Sequence, residues 1–438
     1  MADVRPLRGV TYDGDRVELG DVLCPPYDVI SPAQQAAYYA REPHNAVRIV
    51  LNSAEGDARY SAAAAALREW LGDGVLRRAE APAFFVHRHS FQVPGRDDTS
   101  RISRVGVMAA VRLQPWTDGA VKPHEHTMPG PKEDRLRLMR ATAADTEPIW
   151  CFHPDDDGAV GQVLNAITAE APGIAVTFQP VPGVDESAPA EVHELWEVSH
   201  PATIARLGNA LAAVQLYIAD GHHRYETALH HARELGGGLD DATSFKLMLL
   251  SSAADPGLLV LPTHRLARFA PNHSLAEMMR RLEERGWRTD AVGDLATLEA
   301  RLLEPTAPAL LGVGIFAGGR FTYVEGTVES AATAALAPSL ANLDVAVLQE
   351  EILGPLCGIG QAELADAELI AYSRDSKEVV ARVTAGEFDL GVFVRPPTLA
   401  QVQAVADAGE NMPQKSTYFW PKPASGLLMM LQPPGEPL

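Results

Sequence analysis

The sequence predicts a mixed fold of helices and sheets, either α/β or α+β, and three observations lead to this prediction. Strand and helix patterns alternate along most of the 438 residues. The length fits roughly two or three domains, and we place a boundary at Pro271. Near the middle of the chain, an apolar strand pattern runs through a short polar turn directly into a helical pattern. We therefore expect a motif-bearing catalytic domain over residues 1–270 and a C-terminal α/β domain over 271–438.

Local patterns justify the individual elements. Ser31 and Pro32 open a helix as N-cap and first helical residue. Apolar spacing or helix-forming composition predicts further helices over 59–71, 132–142, 160–170, 225–235, 243–253, 274–286, 294–304, 345–353, 376–384 and 399–408. Apolar runs predict strands over 47–51, 83–89, 105–113, 192–198, 214–218, 258–261, 390–394 and 427–431. A hairpin is expected from strands 311–316 and 320–324, and residues 123–131 are expected to form a loop.

Composition narrows the class of protein. With 46% hydrophobic and 21% charged residues, the chain is typical of a soluble globular protein with a large core. A formal net charge of −20 argues against broad binding of nucleic acid, which depends on basic side chains. Three widely spaced cysteines fit a reducing compartment better than a disulfide framework. The N-terminal residues lack the apolar core of a signal peptide, and no apolar run reaches the length of a membrane span. We expect a cytoplasmic protein without a membrane partner.

The polar junction Asp220–Arg224 is the most informative segment. An Asp-Gly pair suits a sharp turn and a helix cap. The free N–H groups and positive dipole end of the following helix form an anion site, to which His222, His223 and Arg224 add donors. Asp220 is also a candidate general base. The alternative is a surface turn with incidental charges.

A second group of polar residues lies between Lys122 and Arg135. In an extended chain His124 and His126 project to one face and Glu125 to the other. Two histidines at this spacing can contribute to a metal site without completing one, and Glu125 is a candidate general base. A solvated loop is the alternative.

Basic residues follow at helical spacing. Lys132 and Arg135 share a helix face, and Arg137 and Arg140 form a second such pair. In an acidic protein this stripe favours a phosphate-bearing ligand. A solvated face balanced by neighbouring acids explains the pattern equally well.

Two further segments place polar groups at defined positions. Consecutive prolines fix the backbone before Tyr27 and Asp28, and Asp28 either orients another group or caps a turn. Lys415 precedes Ser416 and Thr417, but the glycines of a Walker A loop are missing. Lys415 can still reach an anion; otherwise the segment is a strand edge. The fingerprints of dinucleotide-binding dehydrogenases, zincins and serine hydrolases are absent from the sequence.

Four motifs in this order resemble a widespread prokaryotic family of conserved proteins of unknown function, from about residue 5 to the end of the chain. They are Pro25–Ile30, His124–Thr127, Asp220–Arg224 and Met412–Thr417. The third motif is also loosely similar to the nucleotide-phosphate motif of the ParB/sulfiredoxin-like superfamily, which includes free-serine kinases, sulfiredoxins and CTP-binding ParB clamps. The resemblance implies a ParB/sulfiredoxin-like core around the strand-turn-helix. It also implies a catalytic aspartate, matched by Asp220, and an earlier catalytic glutamate, for which we choose Glu125.

These observations predict a nucleotide-dependent phosphotransferase acting on a small hydroxyl compound, with free serine as the leading candidate. We expect ATP or ADP as nucleotide, together with Mg²⁺. The expected catalytic residues are Asp220, Glu125 and His223. The expected nucleotide ligands are Gly221, His222, His223, Arg224, Lys132, Arg135 and Lys415. The expected substrate ligands are Tyr27, Asp28, His124, His126, Ser416 and Thr417.

Two alternatives stay open. One is a metal-dependent hydrolase with ligands from His124, His126, His222, His223 and Asp220. The other is a non-catalytic nucleotide-binding regulator. If the motifs form one site, Asp28, Glu125, His222 and Lys415 line a single cleft. The sequence leaves the oligomeric state and any metal other than magnesium open.

Overall fold

In the computed structural model, the described residues are 1–93, 100–125, 129–181, 184, 189–304, 310–328 and 331–438. The chain forms two compact units. The first consists of residues 1–123, 127–259 and 421–438, and the second of residues 124–126 and 260–420. The boundary therefore lies between residues 259 and 260, whereas the sequence placed it between residues 270 and 271. The chain returns to the first unit at Pro421.

Strands are numbered in chain order. They are β1 (Val4–Arg5), β2 (Gly9–Tyr12), β3 (Leu76–Arg78), β4 (Phe84–Gln92), β5 (Arg101–Arg112), β6 (Val121–Lys122), β7 (Ala144–Asp145), β8 (Ile149–His153), β9 (Ile174–Phe178), β10 (Glu191–Val198), β11 (Leu216–Asp220), β12 (Phe245–Ser252), β13 (Leu259–Leu261), β14 (His264–Ala267), β15 (Arg288–Val292), β16 (Leu310–Ala317), β17 (Arg320–Thr327), β18 (Ile370–Ser373), β19 (Leu390–Phe393), β20 (Tyr418–Trp420) and β21 (Met429–Leu431).

The α-helices are numbered in the same way. They are α1 (Leu19–Val22), α2 (Pro32–Arg41), α3 (Val47–Val50), α4 (Ala58–Gly72), α5 (Pro129–Thr142), α6 (Ala159–Thr168), α7 (Pro201–Leu211), α8 (His222–Leu235), α9 (Leu275–Glu284), α10 (Leu295–Leu302), α11 (Ala331–Ala334), α12 (Asp344–Leu348), α13 (Gly354–Cys357), α14 (Ser376–Thr384) and α15 (Leu399–Asp407). A π-helical turn over Gln349–Leu353 continues α12. Among the helices of these described ranges, none combines the length and the apolar character that crossing a membrane requires.

A mixed nine-stranded sheet dominates the first unit. Its order is β6-β11-β8-β12-β5-β4-β10-β9, with β1 paired to β5. β12 runs parallel to β8 and antiparallel to β5, so both kinds of pairing occur in one sheet. A separate four-stranded sheet has the order β3-β2-β21-β7. The predicted mixture of α and β structure is confirmed, and the nine-stranded sheet carries the junction at the end of β11.

The second unit has its own sheet and core. Six strands have the order β15-β17-β16-β19-β14-β18, and β16 with β17 forms the predicted hairpin. Buried apolar residues from this sheet and from α10 and α14 form its core, including Leu266, Leu298, Phe316, Val379 and Phe393.

Three local predictions differ from the structure. Residues 243–253 were expected to be helical, but β12 occupies most of this range, and all eight of its residues are buried in the middle of the large sheet. An apolar run of this length suits a doubly covered strand as well as a buried helix. The run 47–51, predicted as a strand, instead forms the single helical turn α3. Helix α5 also begins inside the loop expected over 123–131.

Candidate active site

The predicted strand-turn-helix is present at the end of β11. Four of the five residues of β11 are buried, and the strand ends at Asp220. Gly221 follows with a φ of 107°, a backbone conformation that residues with a Cβ atom rarely adopt. A Cβ at this glycine would lie 3.2 Å from the Arg224 guanidinium. Gly221, and not Asp220, holds the N-cap position of α8, and a glycine has no side chain with which to cap the helix.

Asp220 lies between two cations. Its carboxylate accepts a hydrogen bond from Arg224, one helical turn later, and Oδ1 lies 2.7 Å from Nζ of Lys422. The Asp220 side chain is 18% exposed. Burial alone would raise the pKa of this carboxyl, but Lys422 and Arg224 hold the pKa well below its usual value. Asp220 is thus a permanent carboxylate and a weak proton acceptor at neutral pH.

Lys422 joins Asp220 to the first motif. Its ammonium also donates to the carboxylate of Asp28. The side chain of Lys422 is 9% exposed and that of Asp28 is 39% exposed, so Asp28 is the accessible partner. Burial opposes the charge, but Asp220 and Asp28 raise the pKa of Lys422 above its usual value. We call Asp28, Asp220, Arg224 and Lys422 the charge network.

The guanidinium of Arg224 is committed to internal contacts. Besides Asp220, it donates to the carbonyl oxygen of Pro148. Burial disfavours its charge, yet Asp220 and then Glu147 raise the pKa of Arg224. The side chain predicted to bind an anion therefore holds the turn together in this structure.

Glu147 organises a second set of polar contacts beside the network. Its Oε1 accepts the backbone N–H of Tyr27 at 3.1 Å and the hydroxyl of Ser425 at 2.7 Å. The Arg135 guanidinium lies 3.8 Å from the Tyr27 ring centroid. A cavity of about 20 Å³, lined in part by Arg135, Glu147, Arg224 and Lys246, has room for no more than a water molecule.

His222 is buried at the first position of α8. Burial lowers its pKa to about 4, against the opposing charge of Asp220, so the imidazole is neutral at pH 7. His223, the next residue, is only partly buried. A neutral His222 contributes donors or acceptors to the turn, but it contributes no positive charge.

The basic stripe on α5 is paired along its length. Lys132 pairs with Glu226 of α8, and Arg135 with the adjacent Asp134. The two further arginines are also paired with carboxylates, Arg137 with Glu133 and Asp57, and Arg140 with Glu234. The stripe thus attaches α5 to its surroundings, and phosphate binding by Lys132 and Arg135 stays a prediction.

In the second unit, the histidine motif meets the lysine-serine-threonine motif. His124 is buried, and its Nε2 lies 3.0 Å from Oγ1 of Thr417. The backbone N–H of Met412 donates to the carbonyl oxygen of His124 at 2.8 Å, beside a bridge between Glu125 and Met412. These two motifs therefore belong to one local structure.

The remaining predicted residues of that unit differ in setting. Lys415 is exposed with φ of 57°, and the hydroxyl of Ser416 donates to the carbonyl oxygen of Pro413 at 2.5 Å. His126 lies outside the described residues. Asp28 and His222 belong to the first unit, and Glu125 and Lys415 to the second. The single cleft stays a prediction.

Lys422 and Glu147 were missed by sequence reasoning. Lys422 stands between Pro421 and Pro423, and Glu147 precedes Pro148. A charged residue next to proline has a restricted backbone, and that restriction is the one local signal that could have drawn attention to either residue.

A sequence profile identifies the family. The profile described as "Protein of unknown function (DUF1015)" matches residues 4–346. The chain belongs to this family. The resemblance drawn from the four motifs is thereby confirmed, although the matched range ends before Lys422 and the motif at Met412. A search of curated proteins found no match.

Several solved structures are similar to the chain at low identity. A conserved hypothetical protein from Pyrococcus furiosus is 15% identical with a TM-score of 0.33, over 72% of this chain and 90% of that one. A free serine kinase in complex with AMP is 14% identical with a TM-score of 0.35, over 75% of this chain and 92% of that one. A C-terminally truncated SbnI from Staphylococcus aureus is 11% identical with a TM-score of 0.32, over 74% and 81% of the two chains.

Proposed function

We propose that this protein is a nucleotide-dependent phosphotransferase that phosphorylates a small hydroxyl compound, with free serine as the leading acceptor. The observation that carries the proposal is the ammonium of Lys422, held between Asp28 and Asp220 at the turn that opens α8. A fixed cation beside a helix N-terminus provides what a transferring phosphoryl group requires.

The positive charge at this position is permanent. Asp220 and Asp28 keep Lys422 protonated against the effect of burial. The N-terminus of α8 adds the positive end of the helix dipole. Lys422 and Arg224 both bind carboxylates, but Asp28, one of the two partners of Lys422, is 39% exposed and can give way to a phosphate. We therefore assign phosphate binding to Lys422 and to the α8 turn, with Arg224 as the residue that positions the turn.

The two aspartates take different roles in this proposal. Asp220, with a lowered pKa and two cationic partners, orients Lys422. Asp28 is more exposed, with 39% of its side chain accessible, so a substrate hydroxyl can reach it. We assign to Asp28 the orientation of the acceptor hydroxyl. Of the two bases that the motif resemblance implies, Asp220 is a weak proton acceptor because its pKa is lowered, and Glu125 stays the candidate base.

Magnesium needs a separate test against the residues present. Mg²⁺ binds carboxylate oxygens and water in an octahedral arrangement. Asp28 and Asp220 converge, but both accept hydrogen bonds from the ammonium of Lys422. These residues do not fit a protein-held magnesium ion, and we derive no step through one.

A thermal-shift screen followed by a transfer assay tests the proposal. AMP, ADP, ATP and inorganic phosphate are the first probes, each with and without magnesium. A nucleotide at a hundredfold its dissociation constant should stabilise the chain by about 2.7 kcal/mol. Formation of phosphoserine from serine and the stabilising nucleotide is then measured by ³¹P NMR.

The outcomes separate the candidate functions. Stabilisation and serine phosphorylation that are both lost in Lys422→Met support the proposal. Stabilisation without transfer to any of a panel of small alcohols would favour the non-catalytic regulator. Release of phosphate from the nucleotide without an acceptor would favour a hydrolase. No response to any nucleotide would overturn the proposal.

A further inference from the structure

A row of histidines lies on one face of the large sheet, among residues that the phosphotransferase proposal does not use. His87 and His89 alternate along β4, and Glu191 and His193 alternate along the antiparallel β10. His193 pairs directly with His89 in the strand register. Alternate residues of a strand point to the same face, and opposed residues of an antiparallel pair are close neighbours. The sheet itself therefore brings these side chains together.

The geometry resembles a set of metal ligands. Nε2 of His89 lies 2.7 Å from Oε2 of Glu191, and Nε2 of His193 lies 3.7 Å from the same oxygen. One ligand atom from each of His89, Glu191 and His193 falls within 4.8 Å of the others. The two imidazole rings stack with centroids 4.2 Å apart. Two imidazoles and a carboxylate are the donor set of many zinc sites.

His193 supplies a second, independent observation. Its side chain is fully buried, and its Nε2 has no hydrogen-bond partner among the residues that the structure describes, although it faces Glu191. Buried polar atoms are rarely left without a partner. Its other ring nitrogen, Nδ1, lies 3.1 Å from Nε2 of His87. A metal-binding histidine usually has such a partner on its second nitrogen, which fixes its tautomer and ring orientation.

We propose that His89, Glu191 and His193 form a binding site for one divalent transition-metal ion of the zinc class. His87 is the outer-shell partner that orients His193. The Glu191 side chain is 20% exposed, so an ion can reach its carboxylate from solvent.

Arg104 opposes binding of the ion. Its Nη2 donates to Nδ1 of His89 at 3.2 Å, which leaves the proton of His89 on Nε2, facing Glu191. That proton must be released when Nε2 binds the ion. The Arg104 guanidinium is held in place by two contacts. Its Nη1 donates to the carbonyl oxygen of Pro421 at 2.9 Å, and its Cζ lies 3.9 Å from the ring centroid of Trp150. Its charge opposes the ion, so Arg104→Met should tighten metal binding.

The test uses the full chain without an affinity tag. Metal content is measured after purification without added metal or chelator, and the metal-depleted protein is titrated with Co²⁺, whose visible bands report coordination. We expect one equivalent of ion per chain. His193→Gln and His89→Gln should weaken Co²⁺ binding by more than the roughly 10–100-fold that loss of an outer-shell partner costs. His87→Gln should fall within that outer-shell range.

The matched control is His153→Gln, at another buried histidine that lies outside the cluster and whose Nε2 has no hydrogen-bond partner within the described part of the chain. It should bind Co²⁺ as the unaltered chain does. If the histidine variants fail to fold, Glu191→Gln at the more exposed ligand gives the same comparison. Absence of saturable one-to-one binding in the unaltered chain would overturn the proposal. So would equal binding in the folded ligand variants and in the His153 control.

Discussion

Lys422 donates a hydrogen bond to Asp220, with 2.7 Å between Nζ and Oδ1, and the same ammonium reaches Asp28. Asp220 in turn has a second cation, Arg224. Because each central member of the charge network has two partners of opposite sign, removing different members leaves different charges uncompensated. Single substitutions can therefore separate the role of each residue in stability from its role in chemistry.

Asp220→Asn should destabilise the protein strongly. The change leaves two buried cations without their shared carboxylate, and breaking a buried ion pair typically costs about 3–5 kcal/mol. Asp28→Asn is the matched control, because Asp28 is 39% exposed and Lys422 keeps Asp220, so the loss should be at most about 1 kcal/mol. Urea unfolding followed by circular dichroism measures both. Equal losses in the two variants would show that Asp220 is not the centre of the network.

Lys422→Met should abolish most of the transfer activity. Loss of one preorganised charge at a phosphoryl site typically lowers turnover by about 100–1000-fold. Asp220 keeps Arg224 as a partner, so the fold should survive. Turnover and melting temperature are measured together, with Lys377→Met as a control at an exposed lysine. Unchanged turnover in a folded Lys422→Met protein would reduce Lys422 to a scaffold residue.

Gly221→Ala should be more damaging than Gly236→Ala, although the two glycines flank the same helix. Both have positive φ, of 107° and 64°, and an αL residue with a Cβ costs about 1–2 kcal/mol. A Cβ at Gly236 meets open space, whereas one at Gly221 would press on the Arg224 guanidinium at 3.2 Å. Thermal unfolding of the two variants compares the costs. Similar melting temperatures would mean that Arg224 moves aside easily.

Stability should fall with acid through His222. Burial lowers its folded-state pKa from 6.5 to about 4, opposed by Asp220 and reinforced by His223 and Arg224. A lowered folded-state pKa gives stability that is fully present above pH 6.5 and is lost as the pH falls toward 4. The loss is at most about 3 kcal/mol.

Urea unfolding between pH 4 and 7.5, at roughly half-unit steps, measures this slope. His222→Gln, which cannot gain a proton, should unfold with a shallower dependence on pH. The control is His230→Gln at a histidine of the same helix that is 61% exposed, and its slope should match the unaltered chain. A slope in His222→Gln identical to that control would show that the acid sensitivity has another origin.

The junction at Asp220 could be predicted because its signals are local. An apolar strand, an Asp-Gly pair and a helical pattern follow one another in sequence, and the structure has the turn there. The partners of Asp220 could not be predicted in the same way. Lys422 reaches it only through the fold, and nothing in its neighbours indicates an acid nearby.

Arg224 shows how the same composition can serve two purposes. A guanidinium at the start of a helix is a suitable hydrogen-bond donor to a bound anion. In this structure the Arg224 guanidinium instead donates to the carboxylate of Asp220, one helical turn earlier. Residues 245–252 were misassigned because this short, largely apolar segment has no period that separates a buried strand from a buried helix. The histidines of β4 and β10 do alternate in sequence, yet only the strand register places His193 opposite His89.

The first unit is discontinuous, and this has a consequence for biosynthesis. Residues 421–438 belong to it, but residues 260–420 of the second unit are translated before them. During translation, Asp28 and Asp220 are therefore made long before Lys422, whose ammonium balances their charge. The four-stranded sheet cannot be complete before β21 has been made. The charge network can therefore form only after residues 260–420 have been made, although Asp28 and Asp220 precede these residues in the chain.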